Sequence, residues 1–568
     1  EGAGDRTNSS NITISGSLGG NFVTGAAADT DAVDYSGTLI AQSIGGVDIN
    51  GDFSGLISTD SETDNGTFDD DEGAIGDVNV TGDVAEGQFE GIAGIGNITI
   101  GGDITESGNG STFYTSSDTS GDAYLANIGT LTVTGDVDID DSGSLIEINV
   151  NGNFGDIALN GGGTEVGLIE TAGDLGADST GTITITGGTT AGVTMLGVTV
   201  DEDSIGAITV TGDGTTGTTF TLNNAANSGI VATAVDIGDI TISGFDTITL
   251  TDDIDATAGD IGNLSFDSNA DANDTTVITQ TGSITAGGDL ASLSYNSDAT
   301  TITAATGEIT ITGTAGDITI TGDATVNEDF TAASMGAFKV DGDATFAADH
   351  GIEVTGAATS FEVTGDMVST ATNDATIEVG SIGNITIGGG LDMSASAVTS
   401  IEADDGTSAL DSIGDISIGG LTLGGDDVVD ISASSIGNIT ISAALTASSD
   451  NLVTDLSVSA LPNAVSTDDA GETVETDGSD LGNYSIGNIT IENTNTIGIG
   501  STALFDSTSD NNNVFHALGA IGNITLSGGG SENVQTGLFA AATDGALFYA
   551  SGASNGDYDA LNTASIIY

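Results

Sequence analysis

Acidic side chains are the residues of this sequence best suited to chemistry, and the chemistry that they suit is cation binding. In Asp136-x-Asp138-x-Asp140 the alternation places three carboxylates on one side of an extended segment. Ca²⁺ prefers carboxylate and carbonyl oxygens as ligands. We therefore predict bound Ca²⁺ at three acidic clusters. Their residues are Asp69, Asp70, Asp71, Glu72, Asp136, Asp138, Asp140, Asp141, Asp426, Asp427 and Asp430.

Solvation of exposed loops is the alternative interpretation of each acidic cluster, including a further one at Asp252, Asp253 and Asp255. The sequence contains no EF-hand loop and no convincing run of the Gly-rich nonapeptide that binds Ca²⁺ in secreted toxins. Divalent cations are nevertheless expected for the chain as a whole, because unscreened self-repulsion of so many carboxylates would oppose a compact fold.

Catalytic chemistry lacks its usual residues here. Arg6 and Lys339 are the only basic side chains, His350 and His516 are isolated in the sequence, and there is no Cys. A lyase acting on a uronate needs cationic side chains against the substrate carboxylate, although a pair of Asp residues could serve glycoside hydrolysis. No Gly-x-Ser-x-Gly elbow occurs with suitable partners. We predict that the chain is not an enzyme, and a β-helix enzyme acting on polysaccharides is the third-ranked alternative.

The charge balance excludes several partners. Among 568 residues there are 85 Asp plus Glu against two Lys plus Arg, for a formal net charge of -83. Nucleic acid is excluded because phosphate binding needs many Lys and Arg side chains. An anionic membrane surface would be repelled, and no segment approaches the roughly 20 apolar residues of a membrane span. The 37% of hydrophobic residues is too high for a disordered acidic tail.

A repeated phrase, S-I-G-(N/D)-I-T-I-x-G-(G/D), must position these side chains. It recurs at intervals of roughly 20 to 35 residues, within the range of solenoid repeats, and one copy spans residues 94–103. Within that copy Ile98 and Ile100 point to one face of a strand while Asn97 and Thr99 point to the other. Glycine and Gly-Asp on each side are turn signals. A strand this short buries its apolar face only if successive copies stack in parallel.

The sequence therefore predicts an all-β fold, a parallel β-helix (β-solenoid) of about 18 irregular coils with very little helix. The predicted segments are an N-terminal arm (1–9), the solenoid (10–530) with an excursion at 443–484, and a C-terminal cap or docking segment (531–568). The alternative is a string of antiparallel β-sandwich domains, which need strands at spacings of about 8–12 residues without one dominant phrase.

Stacking of the phrase predicts ladders of identical side chains. The predicted asparagine ladder comprises Asn97, Asn263, Asn384, Asn438, Asn488 and Asn523, with Asp239, Asp317 and Asp415 at the equivalent place. We expect these side chains to hydrogen-bond along the stack and stabilise a turn. The alternatives are Ca²⁺ binding and glycan attachment at the Asn-x-Thr sequences. Segments such as Thr182–Thr186 predict threonine rows, which resemble the arrangement of some ice-binding solenoids but also suit any solvent-facing strand.

The composition and the phrase Ile-Gly-Asn-Ile-Thr-Ile resemble the β-strand-repeat surface proteins of prokaryotes, which include surface-layer and sheath proteins. The resemblance implies a protein that is secreted in many copies and assembles at the cell surface, frequently with Ca²⁺. The sequence starts at Glu1 without an apolar leader segment, which we interpret as a mature secreted chain. We predict an extracellular structural subunit that forms a homopolymer as a surface layer, sheath or filament. An adhesin or carbohydrate-binding rod that contacts a cell-surface glycan is the alternative.

Overall fold

The computed structural model describes only part of the chain, which divides into two compact units, Glu1–Ala299 and Thr300–Tyr568. The described residues are 6–8, 12–14, 18–24, 33–59, 73–105, 112–114, 127–135, 137–138, 147–150, 154–161, 164–171, 181–187, 193–200, 204–212, 214, 217–222, 229–233, 235–268, 278–297, 307–346, 351–369, 375–392, 398–403, 411–423, 428–442, 445–447, 456–460, 485–491, 515–517, 522, 524–527, 540–541 and 548–551.

The first unit consists of short strands, and no helix occurs in its described part. Its strands are β1 (Arg6–Asn8), β2 (Ile12–Ile14), β3 (Leu18–Thr24), β4 (Val33–Tyr35), β5 (Thr38–Ala41), β6 (Ile44–Ile49), β7 (Leu56–Ser58), β8 (Ile75–Val80), β9 (Val84–Ala85), β10 (Gln88–Glu90), β11 (Ile98–Ile100), β12 (Ile104–Thr105), β13 (Thr112–Tyr114), β14 (Leu131–Val133), β15 (Val137–Asp138), β16 (Glu147–Val150), β17 (Ile157–Gly161), β18 (Thr164–Thr171), β19 (Ile183–Gly187), β20 (Val193–Val200), β21 (Ile208–Thr211), β22 (Thr219–Leu222), β23 (Ile230–Ala232), β24 (Ile240–Phe245), β25 (Thr247–Leu250), β26 (Ile254–Ala256), β27 (Ile261–Ser268), β28 (Ile278–Gln280), β29 (Ile284–Ala286) and β30 (Leu290–Ser297).

The second unit has the same character, again without a helix among the residues that are described. Its strands are β31 (Ile309–Thr321), β32 (Ala324–Val326), β33 (Phe330–Asp341), β34 (Ala344–Phe346), β35 (Ile352–Val363), β36 (Met367–Ser369), β37 (Ala375–Asp392), β38 (Val398–Ala403), β39 (Ser412–Ile413), β40 (Ile416–Leu423), β41 (Val428–Ala433), β42 (Ser435–Ile436), β43 (Ile439–Ile441), β44 (Leu445–Ala447), β45 (Leu456–Ala460), β46 (Ile489–Ile491), β47 (Phe515–Ala517), β48 (Ile524–Ser527), β49 (Ala540–Ala541) and β50 (Phe548–Ser551).

Parallel pairing between successive coils builds both units and confirms the predicted parallel β-solenoid. In the first unit, β24, β25 and β26 form one coil and pair in parallel with β27, β28 and β29 of the next. The strands follow from the phrase, because β-branched Ile and Thr suit a pleated surface and the Gly-containing corners end each strand. Antiparallel sandwich domains, the alternative, are absent from the described part of the chain, where every pairing between strands within a unit is parallel.

The strand that carries the phrase recurs once per coil. It forms eleven rungs in the described part of the first unit, from β3 to β30. It forms nine rungs in that of the second, from β31 to β50. The total slightly exceeds the predicted 18. Equivalent residues lie 20 positions apart between Asp77 and Asn97 but 33 apart between Asn97 and Thr130. Coils of unequal length therefore share one register.

Rows of apolar side chains fill the interior of each unit. Ile98 pairs with Leu131, which pairs with Ile157, and all three are at most 1% exposed. Because each strand buries every second side chain, the apolar area that one coil cannot bury alone is covered by its neighbours. Aromatic rings stack at the same positions, such as Phe338 on Phe361 with ring centroids 5.4 Å apart. The core is thus continuous along each unit.

The predicted segment boundaries stay predictions, but described strands lie within the predicted arm, the predicted excursion and the predicted C-terminal segment. β1, in the predicted N-terminal arm, pairs in parallel with β4. Within the predicted excursion, β44 pairs with β40 and β45 pairs with β41. In the predicted C-terminal segment, β50 pairs with β48. Residues 443–444, 448–455 and 461–484 of the predicted excursion lie outside the described part.

Candidate functional site

Polar side chains form a ladder at the corner that precedes the phrase strand. In the first unit, Asp77 Oδ1 accepts a hydrogen bond from the backbone N–H of Asn97 at 2.9 Å. Asn97 Oδ1 accepts bonds from the backbone N–H and the hydroxyl of Thr130, both at 3.0 Å. Further along, Asp239 Oδ1 accepts from the N–H of Asn263 at 2.7 Å. Each side chain therefore caps the corner of the next coil.

The second unit carries the longest described part of this phrase-corner ladder. Asn384 Oδ1 accepts from the N–H of Asp415, Asp415 Oδ1 from that of Asn438, and Asn438 Oδ1 from that of Asn488, at 2.8–3.0 Å. Asn438 Nδ2 donates to Asp415, and Asn488 Nδ2 donates to Asn438, each at 3.0 Å. The predicted turn-stabilising ladder is confirmed at these positions. Asn523 lies outside the described residues.

A second ladder, at the Gly-Asp corner that follows the phrase strand, consists of aspartates. Asp34 Oδ1 accepts from the N–H of Asp52 at 3.0 Å, Asp52 Oδ1 from that of Asp83 at 2.8 Å, and Asp83 Oδ1 from that of Asp103 at 2.8 Å. The second unit repeats this arrangement from Asp323 through Asp343 to Asp366, with donor–acceptor distances of 2.9 and 2.7 Å. We call these the Gly-Asp ladders. The sequence predicted only a turn at these corners, although the recurring Gly-Asp pairs were a signal for them.

Stacking explains why glycine precedes nearly every ladder residue, Asp34 after Val33 being an exception. A Cβ added to Gly96 would lie 2.7 Å from Asp77 Oδ1 and 2.8 Å from the backbone N of Asp77. At Gly102 an added Cβ would likewise meet Asp83 Oδ1 of the preceding coil. A side chain at either position would displace the carboxylate that caps the coil. The dipeptides Gly-Asn and Gly-Asp are therefore the local signature of a stacked coil.

The Gly-Asp ladders place like charges in a row on the surface. Asp52 is exposed, and Asp83 and Asp103 are half-exposed. Successive strands lie about 4.8 Å apart, and two unit charges at that distance in water repel by about 0.9 kcal/mol. Hydrogen bonds to charged acceptors contribute about 1.5–3 kcal/mol each and offset this repulsion. Only one carboxylate oxygen of Asp83 has a hydrogen bond described here, which leaves Oδ2 as a candidate cation ligand.

Most of the predicted calcium ligands lie outside the described residues. Asp138 is in β15, where it pairs with Thr105, and Asp430 is in β41, where it pairs with Ser400 and Ser457. The others are Asp69, Asp70, Asp71, Glu72, Asp136, Asp140, Asp141, Asp426 and Asp427. Among the described residues, no three His, Asp or Glu side chains are grouped so that they could hold a metal ion. Calcium binding stays a prediction.

The cluster at Asp252, Asp253 and Asp255 is described and makes hydrogen bonds. Asp253 Oδ1 accepts from the backbone N–H of Ser283 at 2.7 Å, and both carboxylate oxygens of Asp255 accept from the hydroxyl of Thr257 at 3.2 Å. Burial, together with the neighbouring charge of Asp253, raises the pKa of Asp255, and the hydrogen bond from Thr257 opposes this shift. The folded state therefore disfavours the charged form of Asp255.

The basic and imidazole side chains are dispersed along the chain. Lys339 Nζ lies 3.5 Å from Glu362 Oε1 in the adjacent coil, and both side chains are about 40% exposed. Such a half-exposed pair contributes at most about 1 kcal/mol. Arg6 is in β1 and His516 in β47, where it pairs with Ser459 and Ala540. His350 lies outside the described residues.

The core of the first unit contains a pair of polar side chains that the sequence did not predict. Gln280 and Tyr295 are each 1% exposed, and the Tyr295 hydroxyl donates to Gln280 Oε1. Gln280 Nε2 donates in turn to the carbonyl of Gly282 at 2.9 Å. Burial raises the pKa of Tyr295, which keeps its hydroxyl protonated as the donor. The pair satisfies itself within the core and has no access to a ligand.

A shallow depression lies on the second unit. It is lined by the threonines Thr312, Thr331 and Thr355, by Glu353 and by apolar residues that include Ile311. The hydroxyl of Thr331 bonds that of Thr310 at 3.3 Å. Hydroxyls and one carboxylate beside apolar side chains can bind a polar, uncharged ligand such as a sugar.

No protein-family model, curated protein or solved structure matches this chain. No helix that could cross a membrane occurs in the described part. The parallel solenoid and its ladders are accordingly the features on which a functional proposal can be based.

Proposed function

We propose that the chain is an extracellular structural subunit that assembles with copies of itself into a surface layer, sheath or filament, with divalent cations bound between its carboxylates. One observation carries the proposal: polar side chains hydrogen-bond to equivalent positions of the next coil. Asp83 to Asp103 and Asn438 to Asn488 are examples. Side chains used in this way stabilise the stack itself, as expected of a subunit whose role is structural.

Charge supports the cation component of the proposal. The formal net charge of -83 has to be screened before two copies can approach each other. Rows such as Asp52, Asp83 and Asp103 present carboxylate oxygens, which Ca²⁺ prefers as ligands, at each coil. A divalent ion shared by carboxylates of two copies would join them.

Analytical ultracentrifugation of the purified protein tests this function. The buffers contain millimolar Ca²⁺, EGTA, or NaCl that matches the ionic strength of the Ca²⁺ buffer. The proposal expects large, reversible assemblies with Ca²⁺ and their loss in EGTA. Assembly in the NaCl buffer alone would show that general screening suffices and would remove the specific role of divalent ions. A monomer under all three conditions would contradict the proposed function.

A carbohydrate-binding rod is the second candidate, and the depression at Thr312, Thr331 and Glu353 favours it. Glycan-array binding by the monomeric protein, lost in Glu353→Ala but retained in Glu328→Ala, is expected for this alternative. Glu328 is an exposed residue that does not line the depression. The absence of any retained glycan would leave the structural function as the sole proposal.

A further inference from the structure

The outward face of the phrase strands in the first unit is unusually free of charge for this chain. Its central row runs across eight successive strands without an ionisable side chain: Thr99, Thr132, Ala158, Thr184, Thr209, Thr241, Ser265 and Ser294. A second row beside it includes Asn160, Thr186, Thr211 and Ser243 and continues to the exposed carboxylate of Asp267. We call the central row, together with the uncharged part of the second row, the neutral face.

Other outward surfaces of the same unit carry carboxylates. A different outward row, formed by other strands of the same coils, includes Glu90, Glu170 and Asp255 at equivalent positions along the stack. The corner beside the neutral face carries Asp77 and Asp239, which cap coils there. The carboxylates therefore border the neutral face and leave its centre uncharged.

The neutral face is accessible and can form hydrogen bonds. Thr99 and Thr186 are exposed, and Thr184, Thr209 and Thr241 are half-exposed, as expected for a sheet face that nothing covers. The structure gives the hydroxyls of these threonines no hydrogen-bond partner within the described residues. Short side chains of equal length on parallel, in-register strands form the surface that packs closely against an identical one.

We propose that the neutral face is the lateral contact between copies of this chain, and that a second copy's neutral face is its occupant. The inference rests on the proposed self-assembly and names one contact within it, since two identical faces that meet close into a pair. Two chains of this charge repel wherever carboxylates face each other, so the uncharged face is where close approach costs least. The bordering aspartates then lie at the rim of the contact, where water and cations reach them.

The area of the neutral face fits this role. Eight strands at about 4.8 Å spacing and a width of about 14 Å give roughly 500 Å² per copy and 1,000 Å² per pair. This is the lower limit of about 1,000 Å² expected of a specific protein interface. A contact of this size is weak in one pair, and repetition in a polymer makes it effective.

A single charge at the centre of the face tests the inference. Thr209→Glu places a carboxylate on the neutral face, and Thr249→Glu is the matched control, because Thr249 is a half-exposed strand threonine in a different outward row. We expect Thr209→Glu to raise the protein concentration needed for assembly at least tenfold and Thr249→Glu to change it less than twofold. Circular dichroism and the Tm confirm that both variants are folded.

A thiol gives an independent test, because the chain contains no Cys. Under assembly conditions, a bifunctional thiol-reactive cross-linker that spans the distance between two packed sheets, about 10 Å, should link Thr209→Cys chains into covalent dimers and leave Thr249→Cys chains monomeric. If Thr209→Glu assembles at the same protein concentration as wild type, the inference is overturned and the proposed function is unaffected. Absence of wild-type assembly would contradict both. A monomer that is retained by ice or by a polysaccharide through Thr209 would assign the face to a different partner and overturn the inference.

Discussion

Replacing Asp83 separates the two opposing effects in a Gly-Asp ladder. Asp83 Oδ1 accepts the N–H of Asp103 at 2.8 Å, while its own N–H donates to Asp52 Oδ1 at 2.8 Å. Asparagine keeps the Oδ1 acceptor and removes the charge, whereas alanine removes both. The pair Asp83→Asn and Asp83→Ala therefore isolates the hydrogen bond to a neutral acceptor. The comparison of Asp83→Asn with wild type reports the effect of the charge, both on the repulsion and on the strength of that hydrogen bond.

The magnitudes follow from the geometry of the ladder. Each neighbouring carboxylate at about 4.8 Å repels by about 0.9 kcal/mol in water, and 0.1 M salt reduces this to about 0.5 kcal/mol. With two neighbours, Asp52 and Asp103, removal of the Asp83 charge relieves about 1 kcal/mol of repulsion in EGTA, and the hydrogen bond from Asp103 weakens by a similar amount because a neutral amide oxygen is the poorer acceptor. We therefore expect the local stability of Asp83→Asn in EGTA to lie within about 1 kcal/mol of wild type. The lost hydrogen bond should make Asp83→Ala less stable than Asp83→Asn by about 1–2 kcal/mol.

Hydrogen exchange of the segment 98–105 is the appropriate assay, because stacked repeats can open locally and a global unfolding free energy averages over many coils. Asp83→Ala should exchange about 5- to 30-fold faster than Asp83→Asn at the Asp103 amide. The stability of Asp83→Asn relative to wild type should be lower in Ca²⁺ than in EGTA, because a bound cation offsets the repulsion in wild type. Equal exchange in the two variants would refute the role of the side-chain acceptor. A stability of Asp83→Asn relative to wild type that does not fall as NaCl screens the carboxylates would refute the role of repulsion.

Three further predictions address the coil corners, a perturbed carboxylate and the core. Gly96→Ala should lower the free energy of unfolding by about 1–3 kcal/mol, since the added Cβ would overlap Asp77 of the preceding coil. Thr99→Ala, at an exposed position, is the control. An unchanged denaturant midpoint for Gly96→Ala would contradict the stacking geometry. Because the pKa of Asp255 is raised in the folded state, the folded protein loses stability as the pH rises through that pKa. Asp255→Asn should therefore raise the Tm at pH 7, and the difference from wild type should disappear below about pH 4. A lower Tm of Asp255→Asn at pH 7 would contradict the sign of this effect. Tyr295→Phe should lower the free energy of unfolding by about 1–3 kcal/mol because it leaves the buried Gln280 Oε1 without its donor. Adding Gln280→Leu should recover part of that loss. Additive effects of the two substitutions would contradict the coupling between these side chains.

The repeated phrase was sufficient to predict the fold, because its pattern is local and recurs in each coil. Ile98 and Ile100 alternate with Thr99 in the sequence, and they are buried in β11 as predicted. The asparagine ladder was also predictable, since stacking in register places Asn438 below Asn488 whatever lies between them. That interval is 50 residues, and its length did not disturb the register.

Other features carried too little signal in the sequence. The remaining strands of each coil, such as β22 and β23, lie in segments of variable length without a common phrase. The pairing of Gln280 with Tyr295 depends on two side chains meeting across the interior, and no spacing rule connects positions 15 apart in the chain. The Gly-Asp ladder at Asp52, Asp83 and Asp103 was visible as a repeated turn, but its hydrogen bonds join coils and follow only from their register.

Negative-stain electron microscopy of the purified protein, in millimolar Ca²⁺ and after addition of EGTA, is the most direct test of the central claim. The structural function predicts ordered sheets, tubes or filaments in Ca²⁺ that dissolve in EGTA. Isolated particles under both conditions would contradict self-assembly and would make the carbohydrate-binding rod the better proposal.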